Sequence, residues 1–115
     1  MYVLFIVLNL VDYLDEIFIK FVEAGVEGAT VVDSQGMAGA IAGAQESSVA
    51  FNLLKHFIDD CKPYNKTIFT VLESEEQTEA VVALVKEVLG KDARQGAGFM
   101  FSLPIGNVYK FDDLQ

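Results

Sequence analysis

The sequence predicts an α+β fold in which a four-stranded antiparallel sheet carries two helices on one face. Short apolar runs typical of strands alternate with longer segments whose apolar residues recur every three or four positions, as in amphipathic helices. Their order is strand, helix, strand, strand, helix, strand, which is the ferredoxin-like split βαββαβ arrangement. A chain of 115 residues is long enough for one hydrophobic core, so we expect a single domain over residues 1–115.

The pattern begins with a strand and a helix. Residues 3–8 are an unbroken apolar run, typical of a strand that is covered on both faces or lies at a subunit contact. We expect Asp12 to cap the following helix and Gly25 to end it in a left-handed conformation. Residues 29–34 are predicted to form the second strand. The residues that the first helix should bury are Leu14, Ile17, Phe18, Phe21 and Val22.

The second half repeats this order. Residues 67–73 are predicted to form the third strand. Ser74 and Gln77 have the S-x-x-Q spacing of a capping box at the start of a helix, and Gly90 marks its end. The residues that this helix should bury are Val81, Val82, Leu84, Val85, Val88 and Leu89.

The fourth strand and a long insertion complete the pattern. Residues 99–103 are predicted to form the fourth strand, which Pro104 stops, with a short extension at 108–111. Between the second and third strands, residues 36–43 are rich in Gly and Ala, a composition that favours mobile backbone. Residues 47–60 carry an apolar stripe at helical spacing and are predicted to form a short inserted helix.

Composition narrows the choice of partners and compartment. The net charge is −9, which repels phosphate backbones and anionic lipids, so we expect neither a nucleic acid nor a membrane as partner. The single cysteine, Cys61, is typical of a reducing cytoplasm. The apolar run at 2–11 lacks the basic region of a signal peptide and the length of a membrane span. No nucleophile has a base at a spacing that would bring the two together, so the chain is not expected to be an enzyme.

Two blocks of the sequence resemble the nitrogen-regulatory PII signalling proteins. The first block is LDEI at 14–17 followed by VEAGVEGAT at 22–30, and the second is GK at 90–91 followed by GAGFMFSLPI at 96–105. The resemblance implies a homotrimer whose sheets face a three-fold axis, with ligand clefts between neighbouring subunits. It also implies that a small effector in these clefts regulates a target protein, in nitrogen or carbon metabolism.

The resemblance further implies which residues bind the effector. Thr30 matches the threonine that lines the base pocket of the family. Gly36 matches the glycine that opens the long regulatory loop, and Gly96 with Gly98 matches the second glycine loop. Lys110 stands where an arginine normally contacts phosphate.

The chain departs from the family mainly in its cations. Residues 38–40 are Ala-Gly-Ala where the family carries Gly-Arg-Gln, Phe99 replaces a phosphate-binding lysine, and Asp112 replaces an arginine. Each charge-assisted contact contributes about 1.5–3 kcal/mol. ATP and ADP, the ligands that the resemblance implies, are therefore expected to bind weakly. The identity of the ligand stays open: it is either one of these nucleotides or a less charged adenine-containing or carboxylate ligand.

Two other interpretations stay open. The chain could be a structural or metal-binding trimer without nucleotide sensing, since His56, Asp59 and Asp60 would share one helix face. The segment GAGFMF at 96–101 also resembles the aromatic strand motif of RNA-recognition domains, which have the same topology. That motif belongs on the third strand, whereas here it begins the fourth, and the chain is acidic. A core or trimer-interface role is therefore favoured for these aromatics.

Overall fold

The computed structural model describes residues 1–37, 64–94 and 96–114. The order of helices and strands in these ranges confirms the α+β ferredoxin-like prediction. The predicted helix at 47–60 and most of the Gly/Ala segment at 36–43 lie outside the described residues. The elements are β1 (Tyr2–Leu8), α1 (Leu14–Glu23), β2 (Thr30–Gln35), β3 (Tyr64–Leu72), α2 (Glu75–Leu89) and β4 (Gly98–Pro104), with short 3-10 helices at Val11–Tyr13, Gly90–Asp92 and Phe111–Leu114.

The four strands form one antiparallel sheet in the order β2-β3-β1-β4. In the middle of the sheet Phe5 of β1 pairs with Phe69 of β3 and with Phe101 of β4. Both helices pack on one face, and the even-numbered residues of β1 and β3 point toward them because successive side chains of a strand alternate between faces. The buried core lies between the sheet and the helices and consists of Leu4, Ile6, Leu8, Ile17, Phe21, Val26, Ile68, Leu72, Val81 and Val85.

The predicted helix ends are confirmed at three of four places. The backbone N–H of Gln77 donates to the Ser74 hydroxyl at 3.0 Å, and the N–H of Glu73 donates to the Gln77 side chain at 2.8 Å. This is a capping box whose return bond reaches one residue before the cap. Gly90 ends α2 with φ 52°, and Gly25 follows α1 with φ 80°, a conformation that residues with a Cβ rarely adopt.

The start of α1 differs from the prediction. Asp12 does not cap the helix, because the chain enters it through the 3-10 turn at Val11–Tyr13, in which the N–H of Tyr13 donates to the carbonyl of Leu10 at 3.1 Å. Tyr13 occupies the cap position without a side-chain cap bond. Asp12 is therefore an exposed residue inside the turn.

The far end of α1 was also wrongly predicted. Val22 is 75 % exposed, although its spacing suggested an inward position. Each residue turns a helix by about 100°, so Val22 points well away from the direction in which Phe21 enters the core, and the helix ends one residue later.

Two strand boundaries need correction as well. β3 begins at Tyr64, three residues earlier than predicted, because residues 64–66 pair with the end of β2. The extension predicted at 108–111 is not a strand, and a 3-10 helix begins at Phe111 instead. The N–H of Ile105 still donates to the carbonyl of Met1 at 3.0 Å, which carries the β1–β4 pairing just past Pro104.

A pair of alanine variants on α1 tests which side of the helix supports the core. Ile17 is fully buried, so Ile17→Ala should lower the free energy of unfolding by about 2–5 kcal/mol through lost contacts and a residual cavity. Val22→Ala on the same helix should change it by no more than about 0.5 kcal/mol, because the side chain is already exposed. Urea denaturation followed by circular dichroism measures both. Equal losses in the two variants would contradict the described packing of α1.

Candidate functional site

The sheet face that the described helices leave open is largely apolar, with polar side chains near β2, and it carries no charged side chain on any of the described strands. Its side chains are those at odd-numbered positions of β1, β3 and β4 together with their partners on β2: Val3, Phe5, Val7, Thr30, Val32, Ser34, Asn65, Thr67, Phe69, Val71, Phe99, Phe101 and Leu103. Its exposed large apolar side chains include Phe99 at 61 % and Leu103 at 48 % on β4 and Val32 at 47 % on β2. We call these residues the open face.

A row of aromatic rings crosses the open face. Phe5 lies between Phe69, at 5.8 Å between ring centroids, and Phe101, which is stacked on it at 4.9 Å. Phe99 continues the row at 6.1 Å from Phe101. Stacked and tilted pairs at these distances are favourable, so the row forms a preordered apolar surface over three strands.

The five residues predicted to bind the effector do not converge within one chain. Thr30 and Gly36 are six residues apart on and just after the edge strand β2, about 20 Å along an extended chain. Gly96 and Gly98 lie at the start of the opposite edge strand, β4. The order β2-β3-β1-β4 puts three strand spacings, about 14 Å in all, between the two edges.

Lys110 lies at the other end of the sheet. Its ammonium group is 3.0 Å from a carboxylate oxygen of Glu27, which precedes β2. Gly36 follows the end of β2 and Gly98 begins β4, and these two strand ends lie at the same end of the sheet, on its opposite edges. The chain therefore brings Gly96 and Gly98 together, places Gly36 at the same end across the sheet, and keeps Lys110 away from all three.

The backbone explains two of the three loop glycines without a ligand. Gly98 has φ +138°, and a Cβ there would lie 2.1 Å from the carbonyl oxygen of Val7. Gly96 has φ 90° and its carbonyl accepts a hydrogen bond from Asn9. Gly36 is different, because a Cβ would meet only the Asn65 amide at an ordinary 3.8 Å. Of these glycines, Gly36 is the one that the described packing does not require.

A polar cluster that the sequence did not indicate lies beside Gly36. Asn65 is 8 % exposed, and its side-chain oxygen accepts a hydrogen bond from the Ser34 hydroxyl. Ser34 also lies 2.8 Å from the Thr67 hydroxyl. A groove of about 440 Å³ opens at this place and is lined by Val11, Asp33, Ser34, Tyr64, Asn65 and Lys66. Asn65 was missed because the third strand was predicted to begin only at residue 67.

A second contact without a signal in the sequence joins the start of α1 to the end of α2. The Tyr13 hydroxyl donates a hydrogen bond to the carboxylate of Asp92. This bond raises the pKa of the Tyr13 hydroxyl above its ordinary value, and the nearby Arg94 opposes the shift. Tyr13 therefore stays protonated and remains a donor throughout the neutral range.

Potential metal ligands do not cluster in the described part of the chain. No three His, Cys, Asp or Glu side chains come together as a metal site within residues 1–37, 64–94 and 96–114. The predicted metal ligands His56, Asp59 and Asp60 lie outside these ranges. Among the helices that the structure describes, none combines the length and the apolar character needed to span a bilayer.

Comparison with known proteins identifies the fold. No protein-family model and no curated protein matches the sequence. Among solved structures, PII from Arabidopsis thaliana bound to citrate is similar to this chain with a TM-score of 0.66 and 16 % identity, over 96 % of this chain and 82 % of that one. The chain has a PII-like fold. At this identity the likeness concerns the fold alone.

Substitution of Gly98 tests its backbone role apart from any ligand. Gly98→Ala should lower the free energy of unfolding by more than about 2 kcal/mol, because the new Cβ would collide with Val7 and φ would be strained. Gly106→Ala is the control, since a Cβ there meets nothing within 4 Å, and it should stay within about 0.5 kcal/mol of the parent. Chemical denaturation measures the free energy of unfolding of both variants. A Gly98→Ala variant as stable as the parent would contradict the close contact described between Gly98 of β4 and Val7 of β1.

Proposed function

We propose that this protein is a PII-like regulator that assembles as a homotrimer and binds a small anionic effector between its subunits. The observation that carries the proposal is that an uncharged apolar sheet face lies between two sheet edges, each of which holds part of the candidate site. The PII-like fold supports it. In this proposal the chain is one cytoplasmic domain that controls a target protein and is not itself an enzyme.

The open face favours copies of the same chain as its partner. Burying the apolar sheet surface that the described helices leave uncovered against a second surface is favourable, by roughly 25 cal/mol per Å² buried. Each chain carries a net charge of −9, so copies repel one another through most of their surfaces. The described strands carry no charge on the open face, and this is the side on which copies approach with the least repulsion.

The division of the site favours clefts between subunits. Thr30 and Gly36 lie at the β2 edge and Gly96 with Gly98 at the β4 edge, about 14 Å apart across one sheet. Head-to-tail contacts can close into a ring, and we propose one in which the β2 edge of each subunit meets the β4 edge of the next. Residues that are separated in one chain then line one cleft.

The charge of the chain favours an effector with few negative charges. Lys110 already lies 3.0 Å from the Glu27 carboxylate, and Phe99 stands where the family has a lysine. Backbone N–H groups can hold a single anionic group without the help of cations. A triphosphate carries more charge and needs Lys or Arg side chains as well. The PII structure that resembles this chain contains a carboxylate, citrate, and we propose a carboxylate with fewer charges, or a weakly charged adenine-containing ligand, as the effector class.

The aromatic row is the specific observation that favours RNA as an alternative partner, since it crosses the same sheet face that RNA-recognition domains use. Those domains also supply cations beside the aromatics, because phosphates dominate the affinity for nucleic acids. The described strands place no cation on the open face. A second copy of the chain is therefore the better partner for it.

The subunit count tests the assembly. Sedimentation equilibrium at micromolar concentration should give about three times the 12.6 kDa chain mass. Phe101→Asp places a charge in the middle of the aromatic row of each copy and should yield monomers. Val22→Asp, on the exposed side of α1, is the control and should leave the trimer intact. A monomeric parent protein, or a trimeric Phe101→Asp variant, would count against the open face as the interface.

Calorimetry tests the effector class. ATP should bind more weakly than about 100 μM, or roughly −5.5 kcal/mol, because the expected phosphate-binding cations are missing. Succinate, a carboxylate with fewer charges than ATP, should bind the trimer more tightly than ATP does. ATP binding in the micromolar range would show that cations at other positions of the chain, such as Lys91 or Arg94, serve the phosphates. An intact trimer that binds neither compound would favour the structural interpretation.

A further inference from the structure

The outer surface of α1 carries a pair of apolar side chains where amphipathic helices are usually polar. Ile19 is 57 % exposed and Val22 is 75 % exposed. The two residues are three positions apart on one helix, so their side chains are neighbours on its surface. The structure describes every residue of α2, and none of the large apolar side chains of that helix is exposed.

The stability of the folded chain does not account for this pair. Ile and Val are β-branched, which restricts their side chains in a helix and makes them weaker helix formers than Ala, Leu or Lys. The pair lies away from Ile17 and Phe21, the residues through which α1 enters the core, so it does not support the sheet. Contact with a second molecule would bury both side chains and make their apolar surface favourable.

Acidic side chains surround the pair. Asp15 and Glu16 lie one turn before Ile19 and Glu23 lies one turn after it, and all three are exposed. The first two also stabilise the positive start of the helix, whereas Glu23 lies in the last turn, where the helix dipole disfavours a carboxylate. Lys20 is the only basic residue of α1, and its ammonium group is 3.4 Å from the Glu23 carboxylate. The surface of α1 is therefore negative around an apolar centre.

The charges decide which molecule fits this surface. A second copy of the chain would bring the same acidic side chains, and nucleic acids and anionic membranes are repelled by a chain of net charge −9. A segment with Lys or Arg around apolar side chains is attracted instead. The ten residues of α1 span about 15 Å, enough to contact about two turns of a second helix. Helices with one apolar face commonly bind to proteins in this way.

We infer that the outer face of α1 is a docking surface for a basic amphipathic segment of a target protein. Apolar side chains of the target cover Ile19 and Val22, while its Lys or Arg side chains pair with Asp15, Glu16 and Glu23. The inference rests on the proposed function for the existence of a target, and it names the chemistry of that target. Since α1 and the open face lie on opposite sides of the sheet, the docking surface stays accessible in the proposed trimer.

Fluorescence anisotropy with labelled helical peptides tests the chemistry of the partner. The probe is an amphipathic peptide of Leu and Lys, and two comparison peptides carry Ser in place of Leu or Glu in place of Lys. The Leu–Lys peptide should bind the parent protein more tightly than either comparison peptide, and high salt should weaken it. Equal binding of the Ser–Lys peptide would show only a general attraction to an acidic chain. That result, or a Leu–Lys peptide that does not bind, would overturn the inference.

A double variant tests the apolar centre of the docking surface. Ile19→Ser with Val22→Ser should weaken binding of the Leu–Lys peptide about tenfold, because two apolar contacts are lost. Both side chains are exposed, so the variant should fold as the parent does, which circular dichroism checks. Unchanged affinity in this folded variant would overturn the inference.

A second double variant tests the acidic side chains. Glu16→Gln with Glu23→Gln should weaken the same peptide about threefold and reduce the effect of salt on binding. The matched control, Glu76→Gln with Glu87→Gln, removes the same charge from exposed positions of α2 and should bind nearly as the parent does. Equal losses in the variant and the control would overturn the assigned role of the α1 carboxylates.

NMR titration of the full-length protein locates the peptide and separates this inference from the proposed function. The amide chemical shifts that change most on adding the Leu–Lys peptide should be those of α1. Largest changes on the open face would overturn the inference. A trimer that binds its effector but not the peptide would also overturn it and leave the proposed function intact. A monomeric chain that binds the peptide through α1 would overturn the proposed assembly and support the docking surface.

Discussion

The constraint on which the rest depends is that the sheet is largely apolar on both faces, while the described helices cover only one of them. β1 lies at the centre of this arrangement, with Leu4, Ile6 and Leu8 buried under the helices and Val3, Phe5 and Val7 turned to the open face. A one-residue shift of β1 would exchange the two sets, and both are apolar. The register is therefore held by the shape of the core under α1 and α2 and by the close approach of Gly98 to Val7, more than by polarity.

The same strand connects the core to the candidate site. Leu8 is buried in the core and pairs with Gly98, and the next residue, Asn9, binds the loop that precedes Gly98. Tyr13, one turn later, leads into α1 and also holds this loop through Asp92. The position of the β4 edge is thus set from the centre of the sheet. The β2 edge is set separately, by the pairing of β2 with β3 and by the Ser34–Asn65 contact.

How far the sequence predicts this structure follows from the range of each interaction. The element order and the roles of Gly25, Ser74 and Gly90 depend on neighbours within a few residues, so patterns in the sequence predict them. The prediction for Asp12 was wrong because a local 3-10 turn, closed by the bond from Tyr13 to Leu10, precedes the helix. The prediction for Val22 was wrong because the helix spacing does not show where the core ends, which is a tertiary feature. At the site, the resemblance points to Gly96 and Gly98 but not to the backbone contact that requires Gly98. Asn9, Tyr13 and Asn65 carry no local signal, since their partners lie 79 to 87 or 31 residues away.

The placement of charge decides what such a site can hold. Acidic residues outnumber basic ones on α1 and α2, whereas the described strands carry no charge on the open face. Lys66 and Lys110, two of the described cations, are already paired with Asp33 and Glu27. In the proposed function, the effector is therefore held mainly by backbone N–H groups, which have fixed geometry and weak charge. Each further negative charge on a ligand would gain little from these groups and would be repelled by the acidic chain, which is why we propose a weakly charged effector in place of a nucleoside triphosphate.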